Sequence, residues 1–278
     1  MAESDQEQAR VVAISGAGTG IGQVTAAKFG ELGWRVAAGG RRVERLVETR
    51  EMVEKAGGTC LAYELDVTNA DSIDRFFAAA EAELGTVTAV INNAATARYG
   101  PLEDFSPAEI QLEVATKLLG SLLMARRGIH GMRSASSGGD ILFVTSLAAT
   151  SPWPWHLPYA AASAGAEHAA RTLRFELEGS GIRVSLLRCG ETGGTEFGTR
   201  EMETGRMLPA NELWFRRGLL RHTGLLTPDV VANAIVSAVM LPGGAQYELV
   251  VQPTAPTGEV PKSFDDWIAA MMQAHLPQ

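Results

Sequence analysis

Short apolar runs alternate with longer stretches of helical spacing along most of this chain. The apolar runs predict strands at Val11–Ile14, Val36–Ala38, Thr59–Leu65, Val87–Ile91, Ile141–Val144, Val184–Leu187 and Tyr247–Val251. The helical stretches are Gly20–Leu32, Val43–Ala56, Ala70–Leu84, Pro107–Arg127, Tyr159–Gly179 and Thr227–Leu241. The strand runs are continuously apolar, which is typical of strands buried on both faces of a parallel sheet. The pattern therefore predicts the α/β class, with a doubly wound parallel sheet flanked by helices.

The domain organisation follows from the same pattern. The polar residues 1–8 are expected to be disordered, and residues 9–278 to form a single domain, because no linker or repeat divides them. The segment at about 191–224 interrupts the alternation after a predicted strand and is rich in Gly, Arg, Met and Trp. Ligands bind beyond the carboxyl ends of such strands, so we interpret this segment as a flexible substrate lid.

Composition narrows the class of protein further. The formal net charge of -8 disfavours a nucleic-acid-binding surface. Two cysteines, Cys60 and Cys189, provide no disulfide framework, and the first residues lack the pattern of a secretory signal, so we expect a cytoplasmic protein. No apolar run is long enough to span a membrane, and no His/Cys/Asp cluster has metal-ligand spacing, so neither a membrane nor a metal is expected.

A glycine loop joins the first predicted strand to the first helix. Gly16, Gly20 and Gly22 follow the spacing Gly-x-x-x-Gly-x-Gly, with Thr19 and Ile21 between them. Glycine permits positive φ and close approach of the backbone to a ligand, and the helix N-terminus attracts phosphate. The alternative is a glycine-rich turn without a ligand. The strand–loop–helix context favours a site for the pyrophosphate of a dinucleotide.

Two arginines, Arg41 and Arg42, follow the second predicted strand. An acidic residue at this position would bind the ribose 2′-OH of NAD, and none is present. Guanidinium groups suit a 2′-phosphate instead, so we favour NADP(H) over NAD(H). The alternative is that both arginines are ordinary solvated charges.

With these features the chain resembles the short-chain dehydrogenase/reductase family over nearly its whole length. The glycine loop is similar to that family's cofactor motif, Asp66-Val67 to its adenine-contacting pair, and Asn92-Asn93-Ala94-Ala95 to its Asn-Asn-Ala-Gly motif. Ser146 and Tyr159 resemble the catalytic serine and tyrosine and have the family's spacing of 13 residues.

The resemblance implies a Rossmann-like fold and hydride transfer between a nicotinamide and a carbonyl or alcohol substrate. Tyr159 would then exchange a proton with the substrate oxygen, and Ser146 would hydrogen-bond the same oxygen. The resemblance also implies a homodimer or homotetramer built on the long central helices.

Two departures from the family pattern concern the charge beside the tyrosine. The family places a lysine four residues after the tyrosine, and this chain has Ser163 there. The family also places an asparagine three residues before Gly120, and this chain has Lys117 there. We hypothesise that Lys117 supplies the missing ammonium, since electrostatics depends on position and not on chain order. The alternative is that Lys117 is one more polar residue on a solvated helix and the site is inactive.

Other candidate residues surround these. Gly190 resembles part of the family's loop at the nicotinamide, with either Thr192 or Thr195 as its threonine, although Cys189 replaces its proline. The stretch Trp153 to Pro158 suggests a pocket wall for a bulky, largely apolar substrate, and His156 within it is an alternative acid or base. Two further functions stay open: a non-redox enzyme on this scaffold, and a degenerate cofactor-binding regulatory protein.

Overall fold

The computed structural model of the protein describes residues 10–257 and 260–275. Within them seven strands form one sheet in the order β3-β2-β1-β4-β5-β6-β7, and every pairing is parallel. The strands are β1 (Val11–Ser15), β2 (Arg35–Gly40), β3 (Thr59–Glu64), β4 (Val87–Asn92), β5 (Gly139–Ser146), β6 (Ile182–Cys189) and β7 (Glu248–Val251). The doubly wound parallel sheet is therefore confirmed. The predicted disorder of residues 1–8 lies outside the described residues.

Ten α-helices connect or follow these strands in the described residues. They are α1 (Gly20–Glu31), α2 (Val43–Lys55), α3 (Ala70–Leu84), α4 (Pro107–Val114), α5 (Gly120–Ala135), α6 (Leu157–Glu176), α7 (Glu196–Glu203), α8 (Met207–Arg216), α9 (Pro228–Met240) and α10 (Phe264–His275). The one predicted helix over Pro107–Arg127 consists of α4, a π-helical turn at Ala115–Leu119, and α5. Helices α7, α8 and α10 have no counterpart in the sequence-based predictions.

Each face of the sheet carries its own core. In β1, Val11 and Ala13 pack into the core that contains Phe76 of α3, whereas Val12 and Ile14 pack into the opposite core, with Phe29 of α1 and Ile235 of α9 among its members. This two-sided burial explains why the strand sequences are continuously apolar. It also leaves polar side chains little room except at the strand ends.

The order β2-β1-β4 contains the point where the connections reverse direction, because β1 lies between its successor β2 and the later strand β4. In open parallel sheets such a switch point leaves a crevice at the carboxyl ends of the strands. The glycine loop follows β1 and the Asn-Asn-Ala motif follows β4, so the fold brings both to this crevice.

Candidate active site

The glycine loop is built so that no side chain fits inside it. Gly16 and Gly20 have φ of +68° and +56°, and a Cβ on Gly22 would lie 2.2 Å from the Gly16 carbonyl oxygen. The Asn93 side-chain amide stabilises the turn by donating to the carbonyl of Gly16 at 3.1 Å. Thr19 is the extended N-cap of α1 and makes no side-chain cap hydrogen bond. The free N–H groups that open α1 thus face a backbone cradle suited to a phosphate.

The Ser15 side chain couples this loop to the end of β4. Its hydroxyl accepts hydrogen bonds from the backbone N–H groups of Asn93 and Ala94, both at 3.1 Å. Ile21 lies on the first turn of α1 and packs partly against the core of its sheet face. Three of the predicted cofactor residues, Asn93, Ala94 and Ile21, therefore shape the crevice through the backbone and the core.

The two arginines after β2 are in different situations. Arg41 is exposed and makes no hydrogen bond or ion pair with another described residue. The Arg42 guanidinium lies 2.5 Å from the Glu196 carboxylate, which also lies 3.6 Å from Arg45. Arg41 is thus available to an anion, whereas Arg42 is held by the segment that follows β6.

Asp66 and Val67 sit where β3 ends. One carboxylate oxygen of Asp66 accepts from the backbone N–H and the hydroxyl of Thr68, at 2.9 and 2.7 Å. Val67 is buried against the central helix, where a Cβ on Gly120 would lie 2.8 Å from its side chain. This turn fixes the Asp66 carboxylate on Thr68 and packs Val67 against α5.

Ser146 and Tyr159 come together although they belong to different elements. Ser146 ends β5, and its hydroxyl accepts from the backbone N–H of Ala148 at 3.2 Å. Tyr159 projects from the first turns of α6 and is almost fully buried. Burial raises the pKa of the phenol, and the hydroxyls of Ser163 and Ser146 beside it oppose that rise. A buried phenol with two hydroxyl neighbours can hand a proton to a reacting oxygen.

Lys117 is buried in the π-helical turn, with only 2% of its surface exposed. Its ammonium donates to the carbonyl oxygen of Val144, two residues before Ser146 on β5. Burial lowers the pKa of Lys117 to about 8, and the nearby Cys189 and Glu167 act in the opposite direction. A solvated position for Lys117 is therefore wrong. The Lys117 ammonium is bonded to Val144 and not to the Tyr159 hydroxyl, and the exchange hypothesis stays a prediction.

The loop after β6 is tied to the last strand. The backbone N–H of Gly190 donates to the carbonyl of Val251 at 2.8 Å, and the Thr192 hydroxyl donates back to the carbonyl of Gly190 at 3.0 Å. The Cys189 thiol donates to the carbonyl of Thr145 at 3.1 Å, and burial raises its pKa to about 11. A thiol held in this way is a poor nucleophile at neutral pH.

The segment following this loop crosses the crevice in three consecutive residues. The Thr195 side chain lies over Gly20 of the glycine loop, since a Cβ on Gly20 would be 3.1 Å from it. Glu196 pairs with Arg42, and the Phe197 ring lies 5.3 Å from the Tyr159 ring. We call Thr195 to Phe197 the crossing segment. It covers both ends of the space between the glycine loop and the tyrosine.

An aromatic cage lies beyond Tyr159, formed by Tyr99, Trp153, His156 and Trp214. Ring centroids are separated by 4.8 Å for Tyr99–His156, 4.5 Å for His156–Tyr159 and 5.0 Å for Trp153–Trp214. Burial lowers the pKa of His156 to about 3, so its imidazole is neutral near neutral pH. That neutrality disfavours His156 as the acid in a proton transfer.

Two buried carboxylates next to this cage were missed in the sequence. Glu113 of α4 accepts from the backbone N–H of Arg98 at 2.7 Å, and Glu201 of α7 accepts from the next N–H, that of Tyr99, at 3.1 Å. Burial is the main cause that raises the pKa of Glu113 to about 7. The signal available in the sequence was the i, i+4 spacing of Glu113 and Lys117, which places both on one face of a helix.

Two further findings concern the described part of the chain. It contains no group of three or more His, Cys, Asp or Glu side chains arranged to hold a metal ion. None of its helices is long and apolar enough to cross a bilayer.

Comparison with known proteins identifies relatives of this chain. The family model described as short chain dehydrogenase matches residues 10–205. A 3beta-hydroxysteroid dehydrogenase 1 of Eggerthella lenta is 32% identical over 187 residues, which are 67% of this chain and 72% of that protein. The NADP-dependent 3-hydroxy acid dehydrogenase YdfG of Escherichia coli (strain K12) is 29% identical over 233 residues, covering 84% and 90%.

Solved structures share the architecture. The closed form of a serine dehydrogenase complexed with NADP+ superposes with a TM-score of 0.77 and 27% identity, covering 90% of this chain and 98% of that chain. An alcohol dehydrogenase from Thermococcus sibiricus, complexed with 5-hydroxy-NADP, gives a TM-score of 0.73 at 25% identity, covering 90% and 99%.

Proposed function

Because this chain belongs to the short-chain dehydrogenase family, we propose that it is an NADP(H)-dependent oxidoreductase acting on a small-molecule carbonyl or alcohol. The single observation that supports this most is the placement of Ser146 and Tyr159 side by side beyond the glycine loop. The substrate oxygen would lie against both hydroxyls, with Tyr159 donating the proton during reduction and accepting it during oxidation.

The residues of the crevice fit a dinucleotide. The loop leaves no room for a Cβ on Gly16 or Gly22, and this close backbone packing is what a pyrophosphate-binding loop requires. When bound, the nicotinamide supplies the hydride chemistry. The chain would hold the pyrophosphate at the N-terminus of α1 and the adenine near Asp66. It would hold the nicotinamide end near Gly190 and Thr192.

The choice of NADP(H) over NAD(H) rests on Arg41. Its guanidinium is exposed and unpaired among the described residues, at the end of β2 where a ribose 2′-phosphate would lie. The relatives whose names specify a cofactor are NADP-dependent or carry NADP, which supports the same choice. We also propose that the protein is cytoplasmic and that it forms a homodimer or homotetramer.

Lys117 is proposed as the electrostatic support of the reaction. Its ammonium is anchored on the strand that ends in Ser146, and a positive charge there favours ionised forms of neighbouring acids. We also retain the segment at about 191–224 as a substrate lid. Its crossing segment must move before a dinucleotide can lie along the crevice.

A second function is favoured by one observation. Ser163 replaces the family lysine, and the Lys117 ammonium is bound by the Val144 carbonyl. A protein with this site could bind the cofactor without turnover and act as a regulatory subunit.

The deciding experiment is a fluorescence titration with NADPH and with NADH, followed by NADPH oxidation with a panel of ketones and aldehydes. We expect NADPH to bind at least tenfold more tightly, which corresponds to about 1.4 kcal/mol. Arg41→Ala should abolish that preference, and Tyr159→Phe should abolish turnover while leaving NADPH binding intact. NADPH binding without turnover on any carbonyl would favour the regulatory function, and binding of neither nucleotide would contradict both.

A further inference from the structure

Glu113 and Glu201 form what we call the carboxylate pair. They approach from different helices, α4 and α7, yet they accept hydrogen bonds from the consecutive backbone N–H groups of Arg98 and Tyr99. Both side chains are buried, at 2% and 3% exposure. Because their donors are adjacent in the chain, the two carboxylates converge on one turn at the edge of the aromatic cage.

The pair has little cationic compensation in the described part of the chain. The Arg98 guanidinium is used elsewhere, donating to the Glu109 carboxylate at 2.5 Å and to the Asp104 carbonyl at 2.7 Å. Arg206 lies 3.9 Å from Glu201, beyond hydrogen-bonding distance. The pair thus has a long ion pair to Arg206 and the more remote charge of Arg98, and buried carboxylates compensated this weakly are costly.

One oxygen of the pair, Glu113 Oε2, and two nitrogens of the cage, His156 Nδ1 and Trp153 Nε1, are left without hydrogen-bond partners among the described residues. All three atoms are buried. His156 is only 5% exposed, and its neutral ring lies between the tilted rings of Tyr99 and Tyr159. Glu113 Oε2 and His156 Nδ1 can each accept a hydrogen bond, so a ligand that reaches either of them should be a donor.

The Tyr99 side chain connects the carboxylates to the cage. After burial, the causes that raise the pKa of its phenol are the charges of Glu201, Glu113 and Glu191. The Tyr99 ring lies 5.2 Å from the Trp214 ring, edge to face. Aromatic faces attract a cation, and the attraction strengthens where water is excluded. Negative charge, unpaired acceptors and aromatic faces thus meet within one region adjoining Tyr159.

We propose that this region binds a protonated amine on the substrate, with the carboxylate pair and the aromatic cage as its specificity determinants. The inference rests on the proposed oxidoreductase function, because the amine would orient a carbonyl or alcohol group of the same molecule toward Tyr159. The substrate class is therefore an amino ketone or amino alcohol with an apolar body. Phe197 covers Tyr159, so the crossing segment opens to admit it.

The alternative is structural: the carboxylate pair only ties the turn at Arg98 and Tyr99 to α4 and α7. The two possibilities differ in one respect that can be measured. A ligand site discriminates between a charged compound and its neutral isostere, whereas a structural tie does not.

The test uses the whole chain without dinucleotide and two probes of equal shape. N,N-dimethylaminoethanol is protonated at neutral pH, and 3-methylbutan-1-ol replaces its ammonium N–H by C–H. Binding is followed by tryptophan fluorescence, since Trp153 and Trp214 belong to the cage. We expect the amine to bind at least tenfold more tightly than the alcohol, about 1.4 kcal/mol.

Glu113→Gln is the main variant, and Glu203→Gln, an exposed change on α7, is the matched control. Glu113→Gln should reduce the preference for the amine at least fivefold without weakening the binding of the alcohol. Glu203→Gln should leave the preference for the amine unchanged. Circular dichroism checks that each variant is folded, and Glu201→Gln replaces Glu113→Gln if the latter does not fold.

Equal binding of the two probes, tighter binding of the alcohol, or no saturation of either would overturn the proposal. These outcomes differ from a failure of the proposed function. The probe titration needs no cofactor, whereas that function is decided by NADPH binding and carbonyl turnover.

Discussion

Replacing Lys117 by methionine changes a buried charge with little change of shape. The pKa of Lys117 falls from an ordinary value of 10.5 to about 8 because burial disfavours the ammonium. Each pKa unit corresponds to about 1.36 kcal/mol, so the charged form is destabilised by about 3 kcal/mol in the folded protein. The variant also loses the hydrogen bond to the Val144 carbonyl, which offsets roughly 1 kcal/mol of the stabilisation gained by removing the charge. Lys117→Met should therefore stabilise the fold at neutral pH by about 2 kcal/mol.

The pH dependence of stability separates this charge effect from a packing effect, because a packing effect would not change with pH. Between the folded pKa of about 8 and the unfolded value of 10.5, the unfolded chain holds more protons at Lys117 than the folded one. The parent protein accordingly gains stability from this group as pH rises through that window. The advantage of Lys117→Met should be constant below about pH 8 and should shrink by roughly 2 kcal/mol by about pH 9.5.

The assay is urea unfolding followed by far-ultraviolet circular dichroism at a series of pH values. Lys55→Met, at an exposed position near the end of α2, is the control and should change the free energy of unfolding by less than about 0.5 kcal/mol. A destabilised Lys117→Met, or an advantage independent of pH, would refute the reasoning. The same variant tests the catalytic hypothesis, because unchanged turnover at neutral pH would exclude Lys117 as the source of the missing ammonium.

Three further changes follow from the described contacts. Glu196→Gln should tighten NADPH binding about two- to fivefold by releasing Arg42, and an equal gain for NADH in the same titration would contradict this. His156→Phe should lose about 2 kcal/mol less stability than the parent between about pH 7 and pH 5. The reason is that burial lowers the pKa of His156 to about 3, so the unfolded chain gains the proton first; equal losses on denaturant titration would refute it. Gly22→Ala should cost about 3 kcal/mol or more and prevent NADPH binding, because its Cβ would lie 2.2 Å from the Gly16 carbonyl; calorimetric melting with and without NADPH checks both effects.

The sequence alone predicted the parallel sheet and the glycine loop. Continuous apolar runs such as Val11–Ile14 are recognisable because a strand covered on both faces has no polar side. The glycine spacing is recognisable because only glycine tolerates positive φ and the contact between Gly22 and Gly16. Both requirements are local, so a few consecutive residues carry the whole signal.

The crossing segment and the carboxylate pair depended on the tertiary structure. Helices α7 and α8 lie in a segment rich in Gly and Arg, and their positions are fixed by contacts distant in sequence, such as Glu196 with Arg42 and Trp214 with Tyr99. Tertiary contacts of this kind override weak local propensity.

Lys117 shows the same division most sharply. The resemblance to the family marked it as an unusual residue at an asparagine position, and the missing lysine at Ser163 led to the hypothesis that Lys117 supports Tyr159. Where its ammonium points depends on the π-helical turn at Ala115–Leu119, which directs it at the Val144 carbonyl. The residue types and their order in the chain determined the fold class and the chemistry available. Packing decided which groups meet. Burial and the distances between groups determine charge states and hydrogen bonds, and a residue has neither a burial nor a distance until the chain is folded.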